Sequence, residues 1–275
     1  MHNISLQPSP IYGPVRSRRL GWSLGLNISP ESYKLCSFNC IYCQYGWTAV
    51  CTLNATKNSK DLPSPDVFAR ALENTLRQDR EIDNITFSGN GEPTLHPQFD
   101  EMVDIAIYLK SKYLTKARIG ILSNSSTLLS EKIRRSLGKL DFRIMKLDAG
   151  DAETFKRINL PCSGLDYPSI LEGLRATENI DMQAMFIDGE ISNSGNRQID
   201  HWIERVSESR PLNVQIYSLH RPPAASGLEE VSCERLKDIA IRTEKESGIK
   251  VEIIVASSPY SDNVHQPWKK ELEQK

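Results

Sequence analysis

Asn84-Ile-Thr-Phe-Ser-Gly-Asn-Gly-Glu-Pro93 reads as a strand running into a glycine-rich turn. Asn84 to Ser88 is a short apolar, β-branched run, and Gly89 to Pro93 ends it with turn residues. Beyond the turn, Phe99, Met102, Val103, Ala106 and Leu109 fall at helical spacing across residues 98–112. Strand, turn and amphipathic helix together make one β/α unit.

The unit recurs along the chain. Further strands are expected at Trp22–Ile28, Ala117–Leu122, Phe142–Leu147, Met182–Ile187 and Val214–Leu219. Further helices are expected at 65–80, 130–138, 167–178, 197–208 and 232–247. Ser64 and Pro65 supply a cap and a first-turn proline to the first of them, and Gly248 stops the last. Val251–Val255 is the candidate for an extra C-terminal strand. Strands alternating with helices through short links pair in parallel by right-handed crossovers. The expected fold is α/β, a partial (β/α)6 TIM-like barrel of parallel strands. An open doubly wound sheet is the alternative. One domain is expected over 1–275, with its core at about 10–255 and peripheral ends at 1–20 and 256–275.

The residues with chemistry gather at the strands' C-terminal ends. A three-cysteine loop follows the first strand, Gly89–Pro93 the second and Ser123-Asn-Ser-Ser126 the third. Asp148-Ala-Gly150, Asp188-Gly189 and His220-Arg-Pro-Pro223 follow the next three. Parallel α/β barrels build their sites at that end.

The cysteine loop reads Cys36-Ser-Phe-Asn-Cys40-Ile-Tyr42-Cys43. Three thiolates this close suit three corners of a cubane iron–sulfur cluster, which ordinarily takes four cysteines. With three, one iron keeps an open position, and an open position on a metal is where chemistry occurs. A zinc ribbon would need a second Cys-x-x-Cys, which the chain lacks, and a thioredoxin-like pair would not need Cys36. Cys51, Cys162 and Cys233 are scattered and read as ordinary core or surface thiols; a second cluster would require folding to assemble them.

Composition narrows the classes. The chain has 275 residues, 39% hydrophobic and 25% charged, enough for a full core. A formal net charge of -1 gives no global field for nucleic acid or a membrane. No apolar run approaches the ~20 residues that span a bilayer. The opening residues lack a signal-peptide pattern, and the clustered thiols suit a reducing, cytoplasmic setting.

The C-x3-C-x2-C spacing, with an aromatic before its last cysteine, resembles the signature of the radical S-adenosylmethionine (radical SAM) superfamily. Tyr12-Gly-Pro-Val, Ser17-Arg-Arg-Leu-Gly21, Ser88–Leu95, Lys146-Leu-Asp148, Gln215-Ile-Tyr217 and Arg221-Pro-Pro223 extend the likeness. They are similar to a branch related to the wyosine-forming tRNA-modifying enzymes, although features for a second cluster and for pyruvate are not matched. The resemblance implies one 4Fe–4S cluster on Cys36, Cys40 and Cys43. It implies SAM chelated to the open iron, and reductive cleavage of SAM to a 5′-deoxyadenosyl radical that abstracts hydrogen from a substrate. It also implies an oxidoreductase-like enzyme served by a low-potential donor such as flavodoxin or ferredoxin.

The resemblance assigns roles to individual positions. Asn90, Gly91, Glu92 and Pro93 stand where the family's Gly-Gly-Glu-Pro loop holds the methionine ammonium, with Asn90 replacing its first glycine. Ser123 and Asn124 stand where the ribose or carboxylate of SAM is contacted, and Tyr42 near adenine. Strand alternation puts Lys146 and Asp148 on one face, as a catalytic pair or a structural ion pair. Gln215 and Tyr217 share a face that would line the substrate pocket. Arg221, and less directly Arg157, would clamp an anion. Arg16, Arg18 and Arg19 make the start locally basic, read as structural or cofactor-site support ahead of RNA binding. RNA, peptide and small-molecule substrates stay open. So do the alternatives of an iron–sulfur electron carrier or sensor, an activase of a protein partner, and a zinc-stabilised binding protein.

Overall fold

The computed structural model describes residues 4–78 and 81–255. Its strands are β1 (Ile11–Ser17), β2 (Gly21–Leu26), β3 (Leu35–Cys36), β4 (Val50–Cys51), β5 (Asn84–Phe87) and β6 (Arg118–Ser123). They continue with β7 (Phe142–Lys146), β8 (Asp181–Met185), β9 (Ile187–Gly189), β10 (Val214–Tyr217), β11 (Leu228–Glu230) and β12 (Val251–Ile253). The helices are α1 (Pro65–Leu76), α2 (Phe99–Tyr113), α3 (Glu131–Gly138), α4 (Ala152–Asn159), α5 (Tyr167–Arg175), α6 (Asn196–Ser209) and α7 (Cys233–Ser247).

Eight strands form the main sheet in the order β1-β2-β5-β6-β7-β8-β10-β12. From β2 to β12 every pairing is parallel. The order follows the chain without reversing, whereas a doubly wound sheet reverses at a switch point. Among the described residues no pairing joins β1 to β12, so the sheet is a partial TIM-like barrel. The extra C-terminal strand is β12.

Alternation divides the strands. Leu24, Leu26, Ile85, Phe87, Ile121 and Met145 are fully buried with Phe68, Leu72, Phe99, Met102 and Val103 of α1 and α2 in one apolar core. Phe87 meets Phe68 at 6.3 Å and Phe99 at 5.7 Å between ring centroids. The opposite face carries the polar groups and, among them, Phe142 and Ile144. Ser23 and Thr86 share a hydrogen bond there, and Lys146, Gln183 and Gln215 lie side by side in register.

The structure departs from the sequence expectations in several places. Residues 1–20 are not wholly peripheral: β1 pairs antiparallel with β2, from Ile11↔Leu26 to Ser17↔Gly21. The strand expected over Met182–Ile187 divides, because the Asn193 amide donates to the Met185 carbonyl while its oxygen accepts from the Ile187 N–H. That side chain turns the chain out of the sheet, and β9 pairs with β11 instead. Helix α4 was not expected; it is only eight residues long and is started by Asp151, which caps Thr154. Helix α1 ends at Leu76, short of the expected 80. The tail at 256–275 lies outside the described residues.

Candidate active site

The cysteine loop is fixed by backbone bonds on several sides. Cys36 in β3 pairs with Cys51 in β4. Leu35 forms a parallel bridge with Gly91: the Leu35 N–H donates to the Asn90 carbonyl, and the Leu35 carbonyl accepts from Glu92. A Cβ on Gly91 would stand 1.7 Å from that carbonyl, so only glycine permits the approach. On the other side, Asn39 and Ile41 donate to Asn159 and Ile158 at the end of α4.

The sulfurs face polar company. Cys36 and Cys40 are buried and Cys43 half-buried. The Asn124 amide donates to Cys36 Sγ, and the Asn159 amide to Cys40 Sγ, each at 3.4 Å. Lys34 is buried, and its Nζ donates to the Gly46 carbonyl at 3.0 Å. Burial disfavours its charge, and the neighbouring sulfurs of Cys43, Cys36 and Cys40 restore it. Burial raises the free Cys36 thiol well above its ordinary value, against the pull of Lys34. The Cys40 thiol is pushed up to about 11, first by burial and then by Asp148. A coordinating metal deprotonates such thiols outright.

Glu92 sits beside this loop, 3% exposed. Its Oε1 accepts from the Thr94 N–H, the Thr94 hydroxyl and the Ser123 hydroxyl; its Oε2 accepts from the Asn124 N–H at 2.6 Å. Burial raises its pKa, and these donors pull the other way. None of them is a cation. A buried carboxylate held only by neutral donors, with acceptor capacity left on Oε2, suits an incoming ammonium.

The Lys146–Asp148 pair lies on the other side of the cysteines. Lys146 Nζ stands 3.5 Å from Asp148 Oδ1 and donates to the Tyr217 hydroxyl at 3.1 Å. It lies 5.2 Å from the Tyr42 ring centroid and 5.6 Å from that of Tyr217. Burial opposes the Lys146 charge, but Asp148 and then Tyr217 keep the ammonium well above its ordinary value. Asp148 also accepts from the Tyr42 hydroxyl, the Asn159 amide and the Met185 N–H. Burial and Asp148 push the Tyr42 phenol far up, so it stays a donor.

Several residues expected at the ligand make bonds within the protein. The Asn90 side chain turns away, its amide donating to the carbonyls of Gln7 and Pro30 and its oxygen accepting from the Gln7 N–H. These bonds position the loop. Pro93 opens a short 3-10 turn, Pro93–Leu95, that Glu92 caps. The Ser123 hydroxyl holds Glu92, and Asn124 joins Glu92 to Cys36. Ser125, at φ 72°, donates to the Lys146 carbonyl, and Ser126 meets Ser37. Arg221 donates to Gln44 at 2.9 Å, while Arg157 lies exposed on α4 and lines nothing in the site. Cys51 and Cys162, far apart in sequence, lie beside one another next to Cys36–Ser37.

Sequence reasoning missed Lys34, Asn159, Asn193 and the inward course of Arg19. Lys34 lies two positions before Cys36, a cation near a thiolate cluster that the chain itself displays. Asn159 gave no signal, since α4 was itself missed. A shallow hollow of about 780 Å³ between the ends of α5 and α6 contains none of these residues, and its Arg175 pairs with Glu208 at 3.2 Å.

Among the described residues no three His, Cys, Asp or Glu side chains converge on one point, as a single ion would require. A cubane takes one thiolate per iron, so its ligands need not converge. Three cysteines, two amides donating to sulfur and one buried lysine fit such a cluster, whose potential responds to charge and hydrogen bonds at the sulfurs.

The radical SAM superfamily profile matches residues 31–185, more than half the chain. The chain belongs to the radical SAM superfamily. It is similar to a UPF0026 protein of Synechocystis, 30% identical over 77% of this chain and 76% of that one. It is also 29% identical to the GTPase Obg of Brachyspira hyodysenteriae over 94% of this chain, yet spans only 37% of that protein. The present sequence contains no Gly-x4-Gly-Lys-Ser/Thr phosphate loop. It spans 51% of a Helicobacter pylori UPF0026 protein to which it is 34% identical. Among solved structures, TYW1 with a lysine-pyruvate adduct bound superposes with TM-score 0.58 at 16% identity, covering 87% of this chain and 77% of that one. Streptococcus suis SuiB bound to S-adenosylmethionine gives 0.58 at 15%, covering 83% and 50%. At such identities these structures show a shared fold. No helix among the described residues is long and apolar enough to cross a membrane.

Proposed function

We propose that this radical SAM protein holds a 4Fe–4S cluster on Cys36, Cys40 and Cys43 and uses it with SAM to abstract hydrogen from a substrate. Bound together, the two cofactors would supply reductive cleavage of the sulfonium to a 5′-deoxyadenosyl radical. The rest is the work of the chain. Asn124 and Asn159 would tune and orient Cys36 and Cys40 through their amide N–H groups, and Lys34 would offset the negative charge of the thiolates. Glu92 would receive the methionine ammonium, with Thr94, Ser123 and the Asn124 backbone holding its carboxylate in place. Gly91 would let that loop lie against the cysteine strand.

Lys146, Asp148 and Tyr42 would form the wall between cofactor and substrate. Tyr42 and Asn159 hold Asp148 rigid, and Asp148 keeps Lys146 charged with its ammonium toward Tyr217. The observation that carries the reading is Asn124: one residue bonds Cys36 Sγ through its side chain and Glu92 through its backbone. An electron carrier would have no use for an ammonium-ready carboxylate tied to its cluster loop. A low-potential donor such as flavodoxin or ferredoxin would deliver the electron.

The test is anaerobic reconstitution with iron and sulfide, reduction and addition of SAM. 5′-Deoxyadenosine and methionine should appear by mass spectrometry, and Cys40→Ala should lose both products and most of its iron. Full iron content in Cys40→Ala, or equal loss in Cys233→Ala, would overturn the ligand assignment.

A further inference from the structure

A cluster of cations lies beyond the cofactor wall. Arg19, between β1 and β2, reaches across to the last strands: its Nη1 donates to Gln183 Oε1 at 2.7 Å and lies 3.4 Å from Gln215 Oε1. Its guanidinium stands 4.7 Å from the Tyr217 ring centroid, and Lys146 Nζ bonds the hydroxyl of that tyrosine. Arg18 is adjacent, and among the described residues it makes no hydrogen bond or ion pair. Arg221 leans on the cysteine loop through Gln44. Burial, then Arg19 and Arg221, pull the Arg18 guanidinium below its ordinary value.

None of the three arginines has a carboxylate partner among the described residues. The nearby acids are committed elsewhere: Asp148 to Lys146, Tyr42 and Asn159, and Glu230 to His220 at 3.2 Å. Like charges gathered without a counterion repel one another, and a bound anion relieves that cost. Guanidinium groups present paired N–H donors that match the two oxygens of a phosphoryl or carboxylate group.

We propose that Arg18, Arg19 and Arg221 bind an oxyanion carried by the substrate, placing an anionic molecule between Tyr217 and the cysteine loop. Arg19, held by two glutamines and an aromatic ring, is the fixed element. Arg18, and Arg221 on exchanging its Gln44 bond, are the groups that would close on the ligand. As a statement about the substrate this rests on the radical SAM reading; as an anion site it does not.

The test titrates reconstituted protein with inorganic phosphate and with succinate against sodium chloride at matched ionic strength, read by calorimetry and by the melting temperature. One probe or the other should bind saturably. Arg18→Gln and Arg221→Gln should each weaken it at least tenfold, with Arg221→Lys recovering part of the loss. Tighter phosphate points to a phosphorylated substrate, and tighter succinate to a carboxylate. No saturable binding by either, or equal affinity in both glutamine variants, overturns the proposal. Competitive displacement of the probe by SAM also overturns it, since the arginines would then serve the cofactor's own carboxylate. Iron content is measured separately: failure to load iron with anion binding intact would sink the cluster reading and leave this one standing.

Discussion

At the scale of single residues, Asn159 shows how the site depends on a group that does no chemistry. Its one amide donates to Asp148 Oδ2 at 2.8 Å and lies 3.4 Å from Cys40 Sγ and 3.3 Å from the Tyr42 hydroxyl. Removing a donor from a buried charged acceptor costs the acceptor's desolvation, about 1–3 kcal/mol. Asn159→Ala should therefore lower unfolding free energy by about that amount in urea titrations. It should also speed iron loss from reconstituted protein to a chelator. An unchanged rate of iron loss would confine Asn159 to a structural role. That Lys146 and Asp148 pair, and that Glu92 lies beside the cysteine loop, was legible because strand alternation and motif order place them there. Asn159 was not, because an asparagine at a helix end is also an ordinary residue there. The side-chain bonds of Asn90 to Gln7 and Pro30 were not legible either, because the sequence does not tell which way a side chain turns.

At the scale of elements, the entry to α2 buries a histidine whose bonds favour its neutral form. His96 is buried between the Pro93–Leu95 turn and the helix. Its Nδ1 accepts from the Gln98 N–H, and its Nε2 lies 3.1 Å from the Pro63 carbonyl, so Nε2 carries the proton. A second proton would turn Nδ1 into a donor facing a donor. Burial lowers the His96 pKa below its ordinary 6.5, although the Pro63 carbonyl opposes this. In the unfolded chain the ring titrates near 6.5, so on acidification the unfolded state takes up the proton first. The contribution is thus present above pH 6.5 and lost as pH falls through the lowered folded value. Such a group changes stability by at most about 1.4 kcal/mol per pH unit. Wild type should lose more stability than His96→Gln between pH 7.5 and 5.5, and parallel losses would refute the assignment. The same scale explains what the sequence displayed of the fold. The β/α units were legible because each strand and helix repeats its period over several residues. Helix α4, β3, β4, β9 and β11 were not, since two to eight residues carry too little period and their bounds are set by tertiary bonds such as those of Asn193.

At the scale of the molecule, Ile4, Gln7 and β1 join the N-terminal segment to the site loops and to the edge of the sheet. The Ile4 N–H donates to the Gln44 carbonyl beside Cys43, and Gln7 exchanges two hydrogen bonds with Asn90 beside Glu92. Beyond them, β1 covers the edge of β2, whose Ser23 to Leu26 are buried. The segment therefore serves two separable purposes, and two truncations should separate them. A chain beginning at Ile11 keeps β1 but loses the Ile4 and Gln7 bonds. It should fold, melt lower by roughly 2–4 °C for each kcal/mol lost, and release iron faster than wild type. A chain beginning at Gly21 uncovers an apolar strand edge, which is a template for pairing between molecules. It should aggregate, and it should also lose the contacts of Arg19 with Gln183 and Gln215. Light scattering and melting curves on the two chains decide the matter. If the chain beginning at Gly21 stays monomeric with a wild-type melt, β1 is dispensable and the barrel is held by its parallel strands alone. If the chain beginning at Ile11 keeps iron as wild type does, the Ile4 and Gln7 bonds cover the site loops without holding them.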